Sequence, residues 1–442
     1  MKSLIKKITP PLIIQWYHWT LSYLGILLCG FPSEKLIIIG VTGTNGKSTV
    51  VNLVGNILKA TGQKVAWLST ANFHLAGKEW LNDQKMTMLG RFKTQKFLKD
   101  SVKAGCRYVV VETSSEGIKQ YRHLGINYDV VVFTNLTPEH IESHGSFEKY
   151  KQAKGKLFQH LTKKPRKKFK GRTIDKVSVV NTDDQHADYF LNFPADKKIT
   201  YSISRPSDFQ ATDIELNPGK SGFKIISQSY QTNLLGKVNV YNCLAAISVA
   251  KALGISDEII AKSLAQFPGI PGRFEFINKG LASLPLRRSG QDFKMMVDYA
   301  PEPESLRALY ETLQLFRFNR IIHVLGSTGG GRDKARRPIL GRLAAENADT
   351  VIITNEDPYD ENPQTIIDQV AQGAEEKGKV LNQNLFKILD RKEAIQKALS
   401  LAQKDNLVLI TGKGCEQFIC VANGNKIPWD DRKVIRELLN KI

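Results

Sequence analysis

The stretch that most constrains this chain is Leu36 to Val50, LIIIGVTGTNGKSTV. A run of β-branched residues, Ile37, Ile38 and Ile39, delivers the chain into a turn rich in glycine, Gly40, Gly43 and Gly46, which ends at Lys47, Ser48 and Thr49. That order reads as a buried strand feeding a phosphate loop. The glycines let the backbone turn its N–H groups, and the N-terminus of the next helix, toward an anion; the lysine adds a point charge and Ser48 offers a hydroxyl to Mg²⁺. The spacing is G-x-x-G-x-x-G-K-S, because Val41 stands where the stricter G-x-x-x-x-G-K-[ST] pattern has glycine.

A chain of 442 residues with 42% hydrophobic content is globular and long enough for two or three domains. Its five cysteines, Cys29, Cys106, Cys243, Cys415 and Cys420, are scattered and form no C-x-x-C pair, so neither a disulfide framework nor a zinc site is implied. The net charge of +20 points to an anionic partner in the broad sense. Part of it lies in Lys163 to Arg172, KKPRKKFKGR, which reads as a solvated basic loop. No aromatic-interleaved or helix-turn-helix pattern accompanies it, and nucleic acid is not expected as a partner.

Ile8 to Ser33 holds no Lys, Arg, Asp or Glu, and Lys2, Lys6 and Lys7 precede it. At helical spacing Gln15, His18, Ser22, Gly25 and Cys29 fall on one narrow stripe, with Trp16, Trp19, Leu21, Tyr23, Leu24, Leu27 and Leu28 over the rest. The stretch reads as a helix lying in the inner membrane interface, aromatic rings at headgroup level. A hydrophobic helix packed on its own domain, or on a second copy, is the other reading of the same pattern.

Short apolar runs then alternate with amphipathic stretches, the pattern of a parallel sheet covered by helices. Strands are expected at Lys35–Val41, Val65–Ser69, Tyr108–Glu112, Asp129–Thr134 and Val177–Asn181, and helices at Ser48–Ala60 and Thr94–Ala104. A Pro- and Gly-rich break, Phe267–Gly272, precedes a second α/β block. Its strands are expected near Lys294–Asp298, Arg320–Leu325, Thr350–Thr354 and Asn406–Thr411, with helices near Glu304–Leu315 and Ile366–Glu375. The fold class is therefore α/β: a hydrophobic N-terminal helix over 1–34, a central parallel-sheet ATPase domain over 35–268, and a Rossmann-like α/β domain over 269–442.

Ligands of open α/β sheets gather at the carboxyl ends of strands, and YVVVE ends one on Glu112, well placed to hold Mg²⁺ near the phosphate loop. Another strand ends in FTNLTPEHIESHG, where His140 shares a short loop with Glu139, Glu142 and His144, a candidate ion site.

These segments, with GVTGTNGKST and YKQAKGKLF, resemble the Mur ligase superfamily, the ATP-dependent amide ligases of peptidoglycan synthesis and folate polyglutamylation, and most closely its MurE branch. The resemblance runs from about residue 36 to the C-terminus. It implies that Gly43, Thr44, Asn45, Gly46, Lys47, Ser48 and Thr49 bind ATP, and that Glu112 and His140 bind Mg²⁺ with Ser48. Lys154 would be the lysine that reacts with CO₂ to give a carbamate, turning a cation that repels Mg²⁺ into an anionic oxygen ligand. NVYN resembles the segment whose Asn239 and Asn242 contact adenine; PGR carries Arg273 to the phosphates; VDYA carries Asp298 to the ribose. GRDKARRP, Gly331 to Pro338, resembles the family's G-x-R-D-x-x-K-R-P.

Departures from the family pattern bear on the substrates. Only 35 residues precede the loop, where MurE enzymes have a uridine-nucleotide-binding domain of about a hundred residues. Met86-Thr87-Met88 replaces T-T-P; Glu356-Asp357-Pro358-Tyr359 replaces the amino-acid selector D-N-P-R; Glu116 and Cys415 each replace a histidine. Ser114, Gln120 and Arg122 match the positions that hold the muramoyl-peptide substrate, while Asp357, Tyr359 and Glu416 fall on the side of the incoming amino acid.

The implied chemistry is attack of a muramoyl-peptide carboxylate, UDP- or lipid-linked, on the γ-phosphoryl group of ATP. An amino acid then attacks the acyl phosphate, with the C-terminal domain closing over the central one. Three rivals stand beside it: a folylpolyglutamate synthase, whose loop usually reads GTNGKGS; a MurT-like ligase on a lipid-linked substrate, which carries a four-cysteine zinc ribbon; and a nucleotide-gated membrane-binding protein without ligase activity. A cytoplasmic location, peripheral on the inner membrane face, is expected.

Overall fold

Ile37–Thr42 (β1) is buried at every position, and it is flanked by parallel partners on both sides, Tyr108–Glu112 (β5) and Val130–Phe133 (β6). A strand buried on both faces has no use for alternating polar residues, which is why the sequence there is a continuous β-branched run. The structure is a computed structural model that describes residues 10–139, 141–169, 171–277, 286–288 and 291–441. The chain divides into two compact units, Met1–Pro138 with Ser146–Phe267, and Glu139–Gly145 with Pro268–Ile442.

In the first unit β1 is central to an eleven-stranded sheet. On one side run β5, Val65–Leu68 (β2), and the antiparallel hairpin Asn72–Leu75 (β3) and Lys78–Leu81 (β4). On the other side, past β6, come Val177–Asn181 (β9) and Lys197–Ser202 (β10), while Lys168–Phe169 (β7) and Arg172–Thr173 (β8) pair only with each other in a separate hairpin. The meander Phe209–Leu216 (β11), Ser221–Ile225 (β12) and Gln228–Thr232 (β13) completes the sheet. The middle is parallel and both margins are antiparallel. Those margins, and the parallel strand β10, are strands the sequence reading lacked, because short, partly polar segments carry a weaker signal than a buried run.

Pro11–Cys29 (α1) is the charge-free helix. It packs on Arg91–Lys103 (α3), and it does so with the polar stripe inward: Ser22 and Gly25 are buried together with Ile26. The aromatic residues face out, with Trp16 69% and Leu28 64% exposed. Lys47–Ala60 (α2) covers β1, beginning one residue earlier than expected, while α3 begins three earlier than the expected Thr94. Pro32–Lys35 winds into a 3₁₀ turn, so the strand expected from Lys35 starts at Ile37. No helix among the described residues is long and apolar enough to cross a membrane.

The basic loop is not fully solvated. Lys167 is buried, its Nζ donating to the carbonyls of Leu36 at 2.7 Å and Asn127 at 2.5 Å and pairing with Asp129 at 2.6 Å. Lys176 joins the same carboxylate at 3.5 Å, and Asp129 also accepts the Ile38 N–H at 2.8 Å. One lysine of the run is thus a pin that fixes the start of β1, a role that composition alone cannot distinguish from a surface charge.

The second unit is built on six strands in the order Glu275–Phe276 (β14), Gln291–Val297 (β16), Leu407–Ile410 (β20), Ile321–Leu325 (β17), Thr350–Thr354 (β18), Leu385–Ile388 (β19), with Leu286–Arg288 (β15) paired to β16. From β16 to β19 every pairing is parallel. Met296, Leu407 and Leu409 join one core, Met295, Val297, Val408 and Ile410 the other. Alternate residues therefore bury against helices on opposite faces, the doubly wound arrangement expected for this block. Pro303–Leu313 and Pro363–Glu375 are the two helices read from the sequence; the latter starts earlier because Asn362 caps it through the Gln364 N–H.

Candidate active site

Two glycines set the loop after β1. Gly43 has φ +151° and Gly46 φ +81°, and a Cβ on them would lie 1.9 Å from Thr134 Oγ1 and 2.3 Å from Asn242 Oδ1. Both positions therefore need glycine, for backbone conformation and for space. The loop is clamped from the end of β6: the Asn135 carbonyl accepts the Thr44 N–H at 2.8 Å, Asn135 Oδ1 accepts the Asn45 N–H at 2.8 Å, and Thr134 Oγ1 donates to the Asn45 carbonyl at 2.7 Å. Lys47 Nζ folds back onto the Thr44 carbonyl at 2.6 Å, and Thr49 is half-buried on the first turn of α2.

Ser48 and Glu112 meet. The Ser48 hydroxyl donates to Glu112 Oε2 at 2.8 Å, and the same carboxylate accepts the Thr70 N–H at 2.6 Å and the Thr70 hydroxyl at 2.9 Å. Lys154 comes to the loop from the helix Phe147–Leu161. It is buried, donates to the Gly43 carbonyl at 2.6 Å, and lies 4.4 Å from the ring of Tyr150, whose hydroxyl is 3.1 Å from Thr44 Oγ1. His140 lies outside the described residues.

Beside the loop is a cavity of about 240 Å³ lined by residues that include Asn135, Asp183, Tyr241 and Asn242. Asn242 and Asn239 share a 2.9 Å hydrogen bond on the helix Lys237–Ala252. Asp183 accepts the N–H groups of Ile203, Ser204 and Arg205 and the Tyr241 hydroxyl, so its carboxylate is a fixed wall of the cavity.

The short helix Ser115–Lys119, after β5, is capped by Ser114, whose hydroxyl accepts the Gly117 N–H at 3.2 Å. Gln120 Nε2 donates to Glu116 at 2.6 Å, and its Oε1 accepts from Arg122 Nη2 at 2.6 Å. Arg122 also donates to the Met88 carbonyl, and among the described residues its buried Nε has no partner. Burial, and then the neighbouring Arg91, lower the Arg122 pKa from its ordinary value.

In the second unit Arg273 lies 4.4 Å over the Tyr299 ring, and Asp298 accepts the N–H groups of Phe274 at 2.7 Å and Ala300 at 2.8 Å. Burial pushes the Asp298 carboxyl up from the usual range. Asp357 is taken up internally: it pairs with buried Lys413 at 2.8 Å and accepts the Cys420 N–H at 2.7 Å. Glu416 pairs with Lys413 at 2.9 Å and stands 3.5 Å from the Tyr299 hydroxyl. Tyr359 has φ +51° and packs on Gly330, where an added Cβ would be 2.5 Å from its ring. Glu356 is buried beside them, its carboxyl pushed up to about 7 by burial and by Asp357. Burial likewise pushes the Cys415 thiol up to about 11, leaving a neutral group where the family motif has histidine.

Residues 41–250 match the Mur ligase middle domain, and residues 272–414 the Mur ligase glutamate ligase domain. A UDP-N-acetylmuramoyl-L-alanyl-D-glutamate–2,6-diaminopimelate ligase of Geobacillus kaustophilus is 34% identical over 438 residues, covering 97% of this chain and 83% of its own length. The chain belongs to the Mur ligase superfamily. A UDP-N-acetylmuramyl-tripeptide synthetase of Roseiflexus sp. is 33% identical over 96% of this chain and 82% of its own length. A solved structure of a diaminopimelate ligase of the same name as the Geobacillus protein aligns with TM-score 0.57 and 31% identity, over 92% of this chain and 78% of that one. The Mycobacterium tuberculosis folylpolyglutamate synthase shares the fold, with TM-score 0.67 at 17% identity over 89% of this chain and 92% of that one.

As a MurE-like Mur ligase the protein is an ATP-dependent, peptide-bond-forming enzyme of peptidoglycan precursor synthesis, and Mur ligases use ATP and Mg²⁺. Ser48 and Glu112 fit that ion, since a hydroxyl and a carboxylate are hard oxygen donors and Mg²⁺ takes one or two such groups alongside phosphates and water. The structure brings Gly43 to Thr49, Glu112 and Lys154 into one network, with Asn239 and Asn242 at its edge. Sequence reasoning missed Thr70, Asn135, Tyr150 and Lys413. Thr70 follows directly on the expected strand Val65–Ser69, so the strand-end rule that picked Glu112 would also have picked it.

Proposed function

We propose that this protein joins an amino acid to the carboxylate of a muramoyl peptide, UDP- or lipid-linked, through an acyl phosphate formed with ATP. The observation that carries the reading is the convergence on one loop of Lys47, of the Ser48–Glu112 pair, and of Lys154, which arrives on the Gly43 carbonyl at 2.6 Å. A buried lysine there needs a chemical reason, and conversion to a carbamate supplies one: Nζ adds to CO₂, loses a proton and becomes an anionic oxygen donor.

In this reading Lys47 neutralises charge on the γ-phosphoryl group and Arg273 does the same from the second unit's PGR turn. Asn239 and Asn242 contact adenine and Asp298 the ribose. Mg²⁺, held by Ser48, Glu112, His140 and the carbamate of Lys154, would supply electrostatic stabilisation of the transferring phosphoryl group. Gln120 and Arg122 hold the acceptor. Ser114 holds it with them: its oxygen accepts the Gly117 N–H, which leaves its O–H free to donate to the acceptor. Asp357, through Lys413, positions Glu416, which faces the incoming amino acid together with Tyr359. The enzyme works in the cytoplasm, on the inner membrane face. Phosphate release from ATP, measured against muramoyl dipeptides and a panel of amino acids, tests the assignment: release that requires both co-substrates is expected, and ATP hydrolysis indifferent to both would overturn it.

A further inference from the structure

The helix α1 is oriented against the ordinary rule for a surface helix. Its 19 residues include no Lys, Arg, Asp or Glu. Its narrow polar stripe is spent inward, while Trp16, Tyr17, Trp19, Tyr23, Leu24, Leu27 and Leu28 are all exposed, Trp19 stacking on Tyr23 at 5.6 Å between ring centroids. A contiguous aromatic and aliphatic face of this kind marks an interaction surface rather than ordinary surface scatter.

The buried stripe is bonded to the acceptor loop. Ser22 Oγ donates to the Tyr121 carbonyl at 3.0 Å, and just past the helix, in the 3₁₀ turn, Ser33 Oγ donates to the Gly125 carbonyl at 3.4 Å. Arg91, the first residue of α3, ties three parts together: its Nη2 donates to His18 Nδ1, and its Nε and Nη2 donate to the Gln120 carbonyl at 3.2 and 2.9 Å. The Gln120 side chain holds Arg122 in turn. Two guanidinium groups are thus gathered at one residue of the acceptor loop; among the described residues neither is within ion-pair distance of a carboxylate, and Glu116, which Gln120 binds, acts on Arg122 only through space. Paired guanidiniums satisfied only by carbonyl, amide and imidazole atoms present an anion site suited to phosphate oxygens.

The exposed face of α3, beside α1, adds Lys93, Lys96 and Lys103, and Phe92 is 40% exposed. Aromatic rings flanked by lysines complement an anionic bilayer surface, where rings sit at headgroup level and ammonium groups meet lipid phosphates. A second copy of the chain is a poorer occupant, because a two-fold contact through this face would set the lysine flanks against each other.

We propose that the outer face of α1 seats the protein on an anionic membrane, and that Arg91 and Arg122 bind the phosphate of an acceptor carried on a lipid in that membrane. The acceptor is then a lipid-linked muramoyl peptide rather than a soluble nucleotide. The proposal rests on the ligase reading above for its acceptor half and on α1 with the lysine face of α3 for its membrane half.

The test uses the full chain and vesicles of phosphatidylcholine with or without phosphatidylglycerol. The protein should float with the anionic vesicles, salt should weaken binding only in part, and Trp16→Ser/Trp19→Ser/Tyr23→Ser should lower the bound fraction at least tenfold. Lys93→Glu/Lys96→Glu, on the other helix, should lower it too if the triple variant fails to fold. The same muramoyl dipeptide is then offered on UDP and on a prenyl diphosphate in those vesicles. The lipid-linked form should be used at least tenfold better, and Arg91→Ala and the triple variant should each lower the ratio of lipid-linked to UDP-linked turnover. Ligation of the UDP-linked acceptor without flotation would overturn the membrane seat and leave the ligase reading intact. Flotation with no turnover of either acceptor would overturn the acceptor assignment together with the ligase reading. A dimer in sedimentation that loses itself on the triple substitution, with no flotation, would assign the face to a second copy.

Discussion

Gly43→Ala should disable the nucleotide site without unfolding the sheet that carries it. The added Cβ meets Thr134 Oγ1 at 1.9 Å and the Asn135 backbone N and O at 3.1 Å, on a residue already at φ +151°. A φ of +151° lies in a region sparsely populated by L-residues, at a cost of roughly 1–2 kcal/mol. Moving the Thr134 hydroxyl breaks its 2.7 Å bond to the Asn45 carbonyl, about another 1 kcal/mol. Because β1 ends at Thr42 and is paired on both sides, the loop rather than the strand absorbs the strain. A loss of about 2–3 kcal/mol in nucleotide binding corresponds to roughly a 30- to 150-fold weaker Kd. Calorimetric titration with a non-hydrolysable ATP analogue reads the affinity, and thermal unfolding without nucleotide reads the fold. Thr134→Ala in the Gly43→Ala background removes the closest clash, so the double variant should bind nucleotide better than the two single losses predict. An affinity within twofold of the parent for Gly43→Ala, or strict additivity in the double variant, would refute the reasoning.

Lys154→Ala should abolish ligation while nucleotide binding stays within a few-fold, and short-chain carboxylic acids should restore part of the activity by supplying the missing oxygens; full activity without additive would contradict a carbamate. Diaminopimelate should be a poor substrate, because one Tyr359 hydroxyl does not replace the bidentate guanidinium of the family's selector motif; competition assays against lysine and neutral amino acids check this. Asp129→Asn should destabilise the first unit by roughly 3–5 kcal/mol, since it leaves Lys167 and Lys176 buried without their carboxylate, a loss readable by urea denaturation. The Glu356 carboxyl is pushed up to about 7 in the folded chain against an ordinary value near 4.5. The folded state therefore holds a proton that the unfolded state has released, and this group's contribution to stability is full below about 4.5 and is lost as pH rises to about 7. Glu356→Gln should remove that fall, worth up to ~3 kcal/mol, from the difference between the two stability–pH curves.

The middle of each sheet was legible because parallel strands buried on both faces must be written in β-branched residues, as in Ile37–Ile39 and Val109–Val111. The antiparallel margins were not: β4 and β11–β13 are half-exposed and their alternation resembles loop sequence, while β3 is buried but only four residues long, with Asn72 and His74 among them. Within the site, glycines and strand-end carboxylates could be read directly, because their chemistry is local. Lys154 had to be supplied by family resemblance: nothing in YKQAKGKLF distinguishes a lysine that reaches a carbonyl 111 residues away from one in solvent. The same limit applied to Lys167, buried in a run that reads as solvated. For α1 the sequence yielded the stripe but not its direction. Packing decided that, because Ser22 reaches the Tyr121 carbonyl and His18 reaches Arg91 only if the small, polar side turns inward.

The central claim is that a carboxylate of the acceptor attacks the γ-phosphoryl group of ATP. Preparing a muramoyl dipeptide with ¹⁸O in its terminal carboxylate and analysing the released phosphate by mass tests it directly. Phosphate should appear only with acceptor and amino acid together, and each phosphate should carry one ¹⁸O from the acceptor. Phosphate released without ¹⁸O, or at the same rate with the acceptor left out, would contradict it.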